Sequence, residues 1–314
     1  MSFKPKTKEE LQIAVNLWCN NKEEALRQYG EINTWNTVNI TNMSYLFVNK
    51  INFNDNISNW DVSNVTNMHS MFNNCVNFNH PLNNWDISNV IDMNMIFRYC
   101  KKFNKLLNNW DTSNVTNMNM MFYKCYTFNQ QLNNWNVSNV TNMSHMFYDC
   151  KRFNSSLNEW NTLNVNNMSY MFSFCKRVNQ PLNNWDVSNV ITMQNMFYKC
   201  VNFNQPLNNW DTSNVTYMQW MFNGCKGFNK SLNDWDTSSV TDMICMFTNC
   251  VNFNKPLDNW DISKVIDMNN MFKDCKKFNQ CLDDWKLNSL KYCNNVMEGC
   301  DKYIFNRIHL QNIS

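Results

Sequence analysis

The sequence predicts an α/β solenoid of about ten 25-residue coils, with short parallel strands and short helical segments. Three observations carry this. Trp35, Trp60, Trp85, Trp110, Trp135, Trp160, Trp185, Trp210, Trp235, Trp260 and Trp285 fall 25 residues apart without a slip. A row of cysteines from Cys75 to Cys300 keeps the same step, and so do two rows of asparagine, one beginning at Asn39 and one at Asn54. A fixed period of roughly 20 to 50 residues marks a chain in which each repeat is one coil packed on its neighbours.

Residues 1–34 precede the first rung and read as a helical cap. Thr7 with Glu10, and Asn21 with Glu24, have the spacing of capping boxes. Leu11, Ala14, Val15 and Trp18 make one helical stripe, and Gly30 is a natural stop. Two helices, over 7–19 and 22–29, are therefore expected. Their task is to cover an open first coil, whose unpaired edge and apolar face would otherwise meet solvent.

Residues 35–285 are the ten repeats. In the coil from Trp60 to Trp85 the apolar positions are Trp60, Val65, Met68, Met71, Phe72, Cys75, Phe78 and Leu82. Met68, Met71, Phe72 and Cys75 have the i, i+3, i+4, i+7 spacing of one helical face, so a short helical or 3₁₀ segment is expected there. Around Leu82, Trp85 and Ile87 the pattern suggests a short strand, because the second position after each Trp is β-branched (Val62, Ile87, Thr112, Val137, Thr162). That strand would pair in parallel with its copy in the next coil. The asparagine rows read as side chains satisfying the backbone of sharp turns. Asp-x-Ser after seven of the eleven Trp, as in Asp61–Ser63, reads as turn capping; Asn136 and Asn161 interrupt the Asp row, and a calcium reading also lacks the Gly-rich turn it would need. Residues 286–314 are a degenerate last coil and tail, with Cys293 at the Met phase, Met297 at the Phe phase and Tyr303 at a later Phe phase.

One cysteine per coil at a fixed phase is a packing position rather than a disulfide framework, and no CxxC pair or Cys/His cluster points to a metal. No cofactor is expected. Net charge is +2, so no strong field draws the chain to nucleic acid or membrane. No stretch approaches the roughly 18 apolar residues of a membrane span. The opening MSFKPKTKEE has neither an apolar run nor a cleavage site, so no signal peptide is read there, and the expected location is the cytoplasm or a virion. His69, His80, His145 and His309 are scattered across phases and form no catalytic spacing, so the chain is not expected to be an enzyme.

The recurring string has a known likeness. Asn114–Asn136 reads NVTNMNMMFYKCYTFNQQLNNWN, and Asn64–Asp86 keeps the same positions with Asp at the end where the first has Asn136. This resembles the BspA-type leucine-rich repeat, and more narrowly its Met-Phe/Trp-Asp subtype of mycoplasma surface lipoproteins. The resemblance covers about residues 35–300. It implies a right-handed, leucine-rich-repeat-like coil. Members of the family occur on bacterial surfaces, in protists and in large DNA viruses, with proposed roles in adhesion and protein binding. It carries no catalytic residues over to this chain.

Function is then sought at the variable positions. Projected on a helix, the tenth, thirteenth and fourteenth residues after each Trp face away from the core. In the middle coils many of them are aromatic or Met, and Met95, Tyr99, Met120, Tyr123, Tyr148, Tyr170, Phe174, Tyr198 and Trp220 are expected to form an exposed contact ridge. The competing reading is that neighbouring rings bury one another. A basic row runs beside them, including Lys101-Lys102, Lys151-Arg152 and Lys176-Arg177. The balanced acid content weighs against nucleic acid. The expected function is a protein-binding leucine-rich-repeat scaffold with an extended surface for a protein partner. The alternative is a structural or surface component of a virion or cell envelope that self-associates. A flat binder of carbohydrate or ice would need a regular Thr or aromatic ladder, and the variable positions look too irregular for one.

Overall fold

A computed structural model describes residues 2–302. Tyr303, His309 and the rest of the tail lie outside the described residues. The chain forms two compact units, Met1–Ser155 and Ser156–Ser314.

The first unit opens with α1 (Lys8–Asn20) and α2 (Lys22–Tyr29). The Thr7 side chain accepts from the Glu10 amide, and the Glu10 carboxylate accepts from the Lys6 amide at 2.7 Å. Asn21 caps α2 through the Glu24 amide in the same way. Leu11, Ala14, Val15 and Trp18 are the buried stripe of α1. The Gln12 side-chain amide donates to the Leu46 carbonyl, Lys8 donates to Ser44 Oγ, and the Trp18 indole donates to Asp55. α1 thereby supplies polar partners to the first coil that a preceding coil would otherwise have supplied.

Beyond residue 35 the first unit is a stack of 25-residue coils in parallel register, and their hydrogen bonding differs from the expected helix. From Met68 to Cys75 the amides alternate. Met68, Ser70, Phe72 and Asn74 donate to Asp92, Asn94, Ile96 and Arg98 of the next coil, at 2.7–3.0 Å. Met71, Asn73 and Cys75 donate three residues back within their own coil, to Met68, Ser70 and Phe72. The segment is thus a run of i→i+3 turns, and two of its residues, Ser70 (φ 54) and Asn74 (φ 63), are left-handed. The i→i+3 bonds are those of the 3₁₀ alternative, but left-handed residues interrupt them, so no continuous α or 3₁₀ helix forms in this segment. Met68, Met71, Phe72 and Cys75 still all point inward and are all buried.

The expected strand is also displaced. At Leu82 to Trp85 the chain is closed by a turn bond from the Trp85 amide to the Leu82 carbonyl at 3.1 Å, and it is not extended. The parallel pairing falls at the seventh residue after each Trp, in the bridges Asn42↔Asn67, Asn67↔Asp92, Asp92↔Asn117 and Asn117↔Asn142. Each Trp is tied across coils through its side chain instead, as in the indole of Trp110 donating to Leu82 O and that of Trp135 to Leu107 O, both at 2.9 Å.

The core is built of ring stacks. Phe47, Phe72, Phe97, Phe122 and Phe147 lie one per coil with centroids 5.4–5.7 Å apart and nearly parallel planes. A second Phe of the same coil packs on each, as Phe128 does on Phe122 at 4.0 Å. The cysteine row is buried, and each thiol donates across coils, as Cys100 Sγ does to Phe72 O at 3.0 Å. Phe72 O also receives the Cys75 amide, so both of its lone pairs are used. Burial holds these thiols well above the ordinary cysteine range.

The second unit repeats the scheme from Trp160 to residue 302. Parallel bridges run Asn167↔Thr192, Thr192↔Tyr217, Tyr217↔Asp242, Asp242↔Asp267 and Asp267↔Tyr292. Phe172, Phe197, Phe222, Phe247 and Phe272 stack at 5.4–5.7 Å. Burial slackens in the last coil, where Cys293, Met297 and Cys300 are only half-buried.

Two measurements check this packing. Phe122→Ala removes a ring that touches both neighbouring coils, and it should cost about 3–5 kcal/mol in urea-unfolding free energy. With a thiol reagent in native buffer, the exposed Cys281 should label at once, while Cys100, Cys125 and Cys200 should label only on unfolding.

Candidate partner-binding surface

The Asp row serves the turns. Asp61 Oδ1 accepts from both the amide and the hydroxyl of Ser63, and Asp86 does the same with Ser88. Those bonds hold the Asp86 carboxyl below its ordinary range. Asn64, Asn89, Asn114 and Asn139 each donate a side-chain amide to a carbonyl of the preceding coil, and Asn104 and Asn129 each send a backbone amide to the asparagine one coil earlier. Among the described residues no three His, Cys, Asp or Glu side chains cluster in a way that could hold a metal ion.

The variable positions behave differently from a solvent face on a helix. The tenth and fourteenth residues after each Trp are the two left-handed ones, and the thirteenth lies between them. At the tenth position Ser70, Asn195 and Cys245 are buried, whereas Asn270 is half-buried and Asn295 exposed. All nine expected ridge residues are half-buried, neither exposed nor buried. The expectation of an openly exposed ridge is corrected accordingly. Successive coils sit about 5 Å apart, so rings on adjacent coils must touch and shield one another.

In the first unit, Tyr99 meets Tyr123 edge-on at 5.3 Å, and Tyr123 stacks on Tyr148 at 4.6 Å. Met95 and Met120 hold the tenth position of the same coils. The Arg98 guanidinium lies 4.4 Å from the Tyr99 ring centre and 5.3 Å from that of Tyr123, and Lys124 Nζ is 5.4 and 5.5 Å from the same two rings. Beside them Lys151 lies 4.2 Å and Lys101 5.8 Å from Tyr126. Burial, then the neighbouring Tyr148 and Tyr99, pushes the Tyr123 phenol up to about 12, so it stays neutral. Burial also pushes His145 down to about 4. At neutral pH neither Tyr123 nor His145 therefore adds charge to this strip.

In the second unit, Phe174 meets Tyr198 edge-on at 5.1 Å, and Tyr198 meets Trp220 at 6.0 Å. Lys199 Nζ lies 5.4 Å from Phe174 and 5.1 Å from Tyr198. Tyr170 and Trp220 occupy the left-handed tenth position.

Sequence reasoning passed over Arg98, Lys124 and Lys199, the cations that lie on the rings. The available signal was the pentapeptide MFYKC, which occurs at 121–125 and again at 196–200. It also passed over a regular row at the sixth residue after each Trp. In the first unit, Thr41, Thr66, Ile91, Thr116 and Thr141 are exposed, and the amides of the last four each donate to the residue one coil earlier.

The left-handed fourteenth position is informative. It is Asn49, Asn74, Asp149, Gly224, Asn249, Asp274 and Gly299 in seven coils, all residue types that tolerate this backbone. The four exceptions are Tyr99, Lys124, Phe174 and Lys199, with φ of 62°, 58°, 62° and 57°. Such residues cost about 1–2 kcal/mol each in this conformation. The four exceptions are the residues that build the two cation–aromatic contacts.

Sequence comparison finds a family described as "Mycoplasma protein of unknown function, DUF285", which matches residues 18–133, 100–210 and 191–309. No curated protein and no solved structure matches the chain. No helix among the described residues is long and apolar enough to cross a membrane.

His145 gives a pH test. Its folded value lies below the ordinary 6.5, so the unfolded chain binds a proton more readily. The neutral ring's contribution to stability is present above about pH 6.5 and is lost as pH falls toward about 4. His145→Asn, which keeps a residue tolerant of φ 57°, should flatten the stability difference between pH 7 and pH 4.5 relative to the parent in urea unfolding.

Proposed function

We propose that this chain, which belongs to the Mycoplasma DUF285 repeat family, is a non-enzymatic protein-binding scaffold. Each of its units is read as a segment of a right-handed, leucine-rich-repeat-like solenoid of the BspA type. The observation that carries the functional reading is the fourteenth position. Residues that burden the local backbone are kept only where they place rings and cations together on the outside of a coil. A chain selected for stability alone would hold Asn or Gly there. Strained residues are expected at functional sites, and half-buried aromatic and Arg side chains are what protein interfaces favour.

The non-enzymatic reading is supported by what the polar groups do. The repeated Asp and Ser side chains cap turns, and the asparagines bridge coils.

Affinity capture from lysate of the source cell tests this, with the parent compared to a Tyr123/Tyr148/Tyr198→Ser variant that keeps the parent's circular dichroism. A protein captured by the parent and lost with the variant is the expected result. Capture only of further copies of the chain, or equal capture by both forms, would overturn it.

A further inference from the structure

We propose that each of these two cation–aromatic contacts is a clasp for a carboxylate, and that the partner presents Glu- or Asp-rich polypeptide to it. This deepens the scaffold reading and rests on it.

The two clasps are built to one plan. An aromatic residue at the fourteenth position of one coil is met by Tyr at the thirteenth and Lys at the fourteenth position of the next. In the first unit these are Tyr99, Tyr123 and Lys124, and in the second Phe174, Tyr198 and Lys199. In both, the ammonium lies 5.1–5.5 Å from the centres of both rings. Within the first unit Arg98 joins from the other coil.

The chemistry of the ligand follows from what these groups leave unused. Among the described residues, no carboxylate lies within ion-pair distance of Arg98, Lys124 or Lys199, whereas Lys273 and Lys276 are paired with Glu298 and Asp301. Arg98 Nε is buried and has no hydrogen-bond partner among the described residues. The ring faces are engaged by the cations and by each other. They are poorly placed to stack on a nucleobase, the contact a single-stranded nucleic acid would need. Arg98 Nη1 donates to Asn73 Oδ1 at 3.5 Å, and what remains available is the other guanidinium N–H donors and those of the two ammonium groups. A carboxylate is their natural acceptor. The rings hold each Lys side chain in place, which lowers the entropy cost of ordering it on binding.

Local charge agrees. The two coils that carry the first clasp, residues 85–134, hold five Lys and Arg side chains against three carboxylates, Asp86, Asp92 and Asp111, and the two that carry the second, residues 160–209, hold three against one, Asp186. The chain as a whole is nearly neutral at +2. Each clasp thus lies in coils with a small excess of positive charge, as charge-steered recognition of an acidic segment favours.

The test uses the full chain, a fluorescent glutamate-rich peptide, and a single-stranded oligothymidylate as a second probe, read by anisotropy. Variants are Lys124→Asn with Lys199→Asn, and Tyr99→Asn with Phe174→Asn. Asn is the residue found at this position in other coils, so both double variants should fold and should unfold at the same temperature as the parent or a higher one.

The parent should bind the peptide, and the Lys pair of substitutions should weaken it by at least about tenfold, a loss of about 1.4 kcal/mol. Binding should also weaken as salt rises from about 50 to 300 mM. Peptide affinity unchanged in the Lys variant would overturn the proposal, as would absence of peptide binding or preference for the oligonucleotide. A protein captured from lysate and lost with the Tyr→Ser variant, yet indifferent to Lys124→Asn/Lys199→Asn, would overturn the clasps and leave the scaffold standing.

Discussion

The alternation of backbone amides in each coil is the constraint from which the rest follows. Within each unit, between the eighth and fifteenth residues after a Trp that has a following coil, one amide in two reaches that coil and the other closes a turn within its own. Phe97 N donates to Met121 O and Phe122 N to Met146 O, while Ile96 and Cys100 donate back to Met93 and Phe97. No regular helix or strand divides its donors this way, since a helix directs all of them along its own axis and an unbroken strand directs them sideways. The division requires a left-handed residue at two places per coil. Once those are in place, the side chains at the eighth, eleventh, twelfth and fifteenth positions turn inward together. That gives Met, Met, Phe and Cys their fixed phase, and it sets rings one coil apart at 5.4–5.7 Å.

The same constraint sorts the outer positions. A left-handed site accepts Asn, Asp or Gly at little cost, and the chain uses those types at the fourteenth position in most coils. It makes every departure visible. Tyr99 and Phe174 could not have been chosen for core packing, because both are half-buried on the outside. Nor were they chosen for the backbone, which they burden. Their contacts with Lys124 and Lys199 are the feature that the Asn-bearing coils lack. The tenth position is less diagnostic, since Ser70 and Cys245 are buried there while Tyr45 is exposed. Its occupants answer to the size of their neighbours as much as to any partner.

How much of this was legible in the sequence depends on how local each signal is. The N-caps at Thr7 and Asn21, and the Asp61–Ser63 turn, could be read because each is one side chain bonding a backbone group two or three residues away. The burial of the cysteine row was readable from phase alone. The helical segment was misread because Met68, Met71, Phe72 and Cys75 suit two successive i→i+3 turns as well as they suit a helix. Periodicity reports which side chains share a face and leaves the path of the backbone between them open. The strand was misread because β-branched residues such as Val62 and Thr112 mark a buried position here and not an extended one. Thr112 is accommodated by donating its hydroxyl to Asn136 O. Arg98, Lys124 and Lys199 were missed for another reason. Their importance lies in which ring of the adjacent coil each one covers, and that is a contact between residues about 25 apart, invisible in any local window.

A repeat of this kind can take on a binding surface without losing its register. The amide of Tyr99 donates to Tyr123 O at 2.7 Å and that of Lys124 to Tyr148 O at 2.7 Å, the same length as Asn74 to Arg98 O. The strained coils therefore keep the inter-coil bonds of the unstrained ones, and the cost of each bulky residue stays within its own turn. Stability in such stacks is close to a sum of coil and neighbour contributions. A coil can then hold an unfavourable residue while the adjacent ring stacks and thiol bonds hold its backbone in place. The large repeated core, with a Trp, a Met pair, Phe rings and a Cys in nearly every coil, is what lets a few outer positions depart from the residue their backbone would prefer.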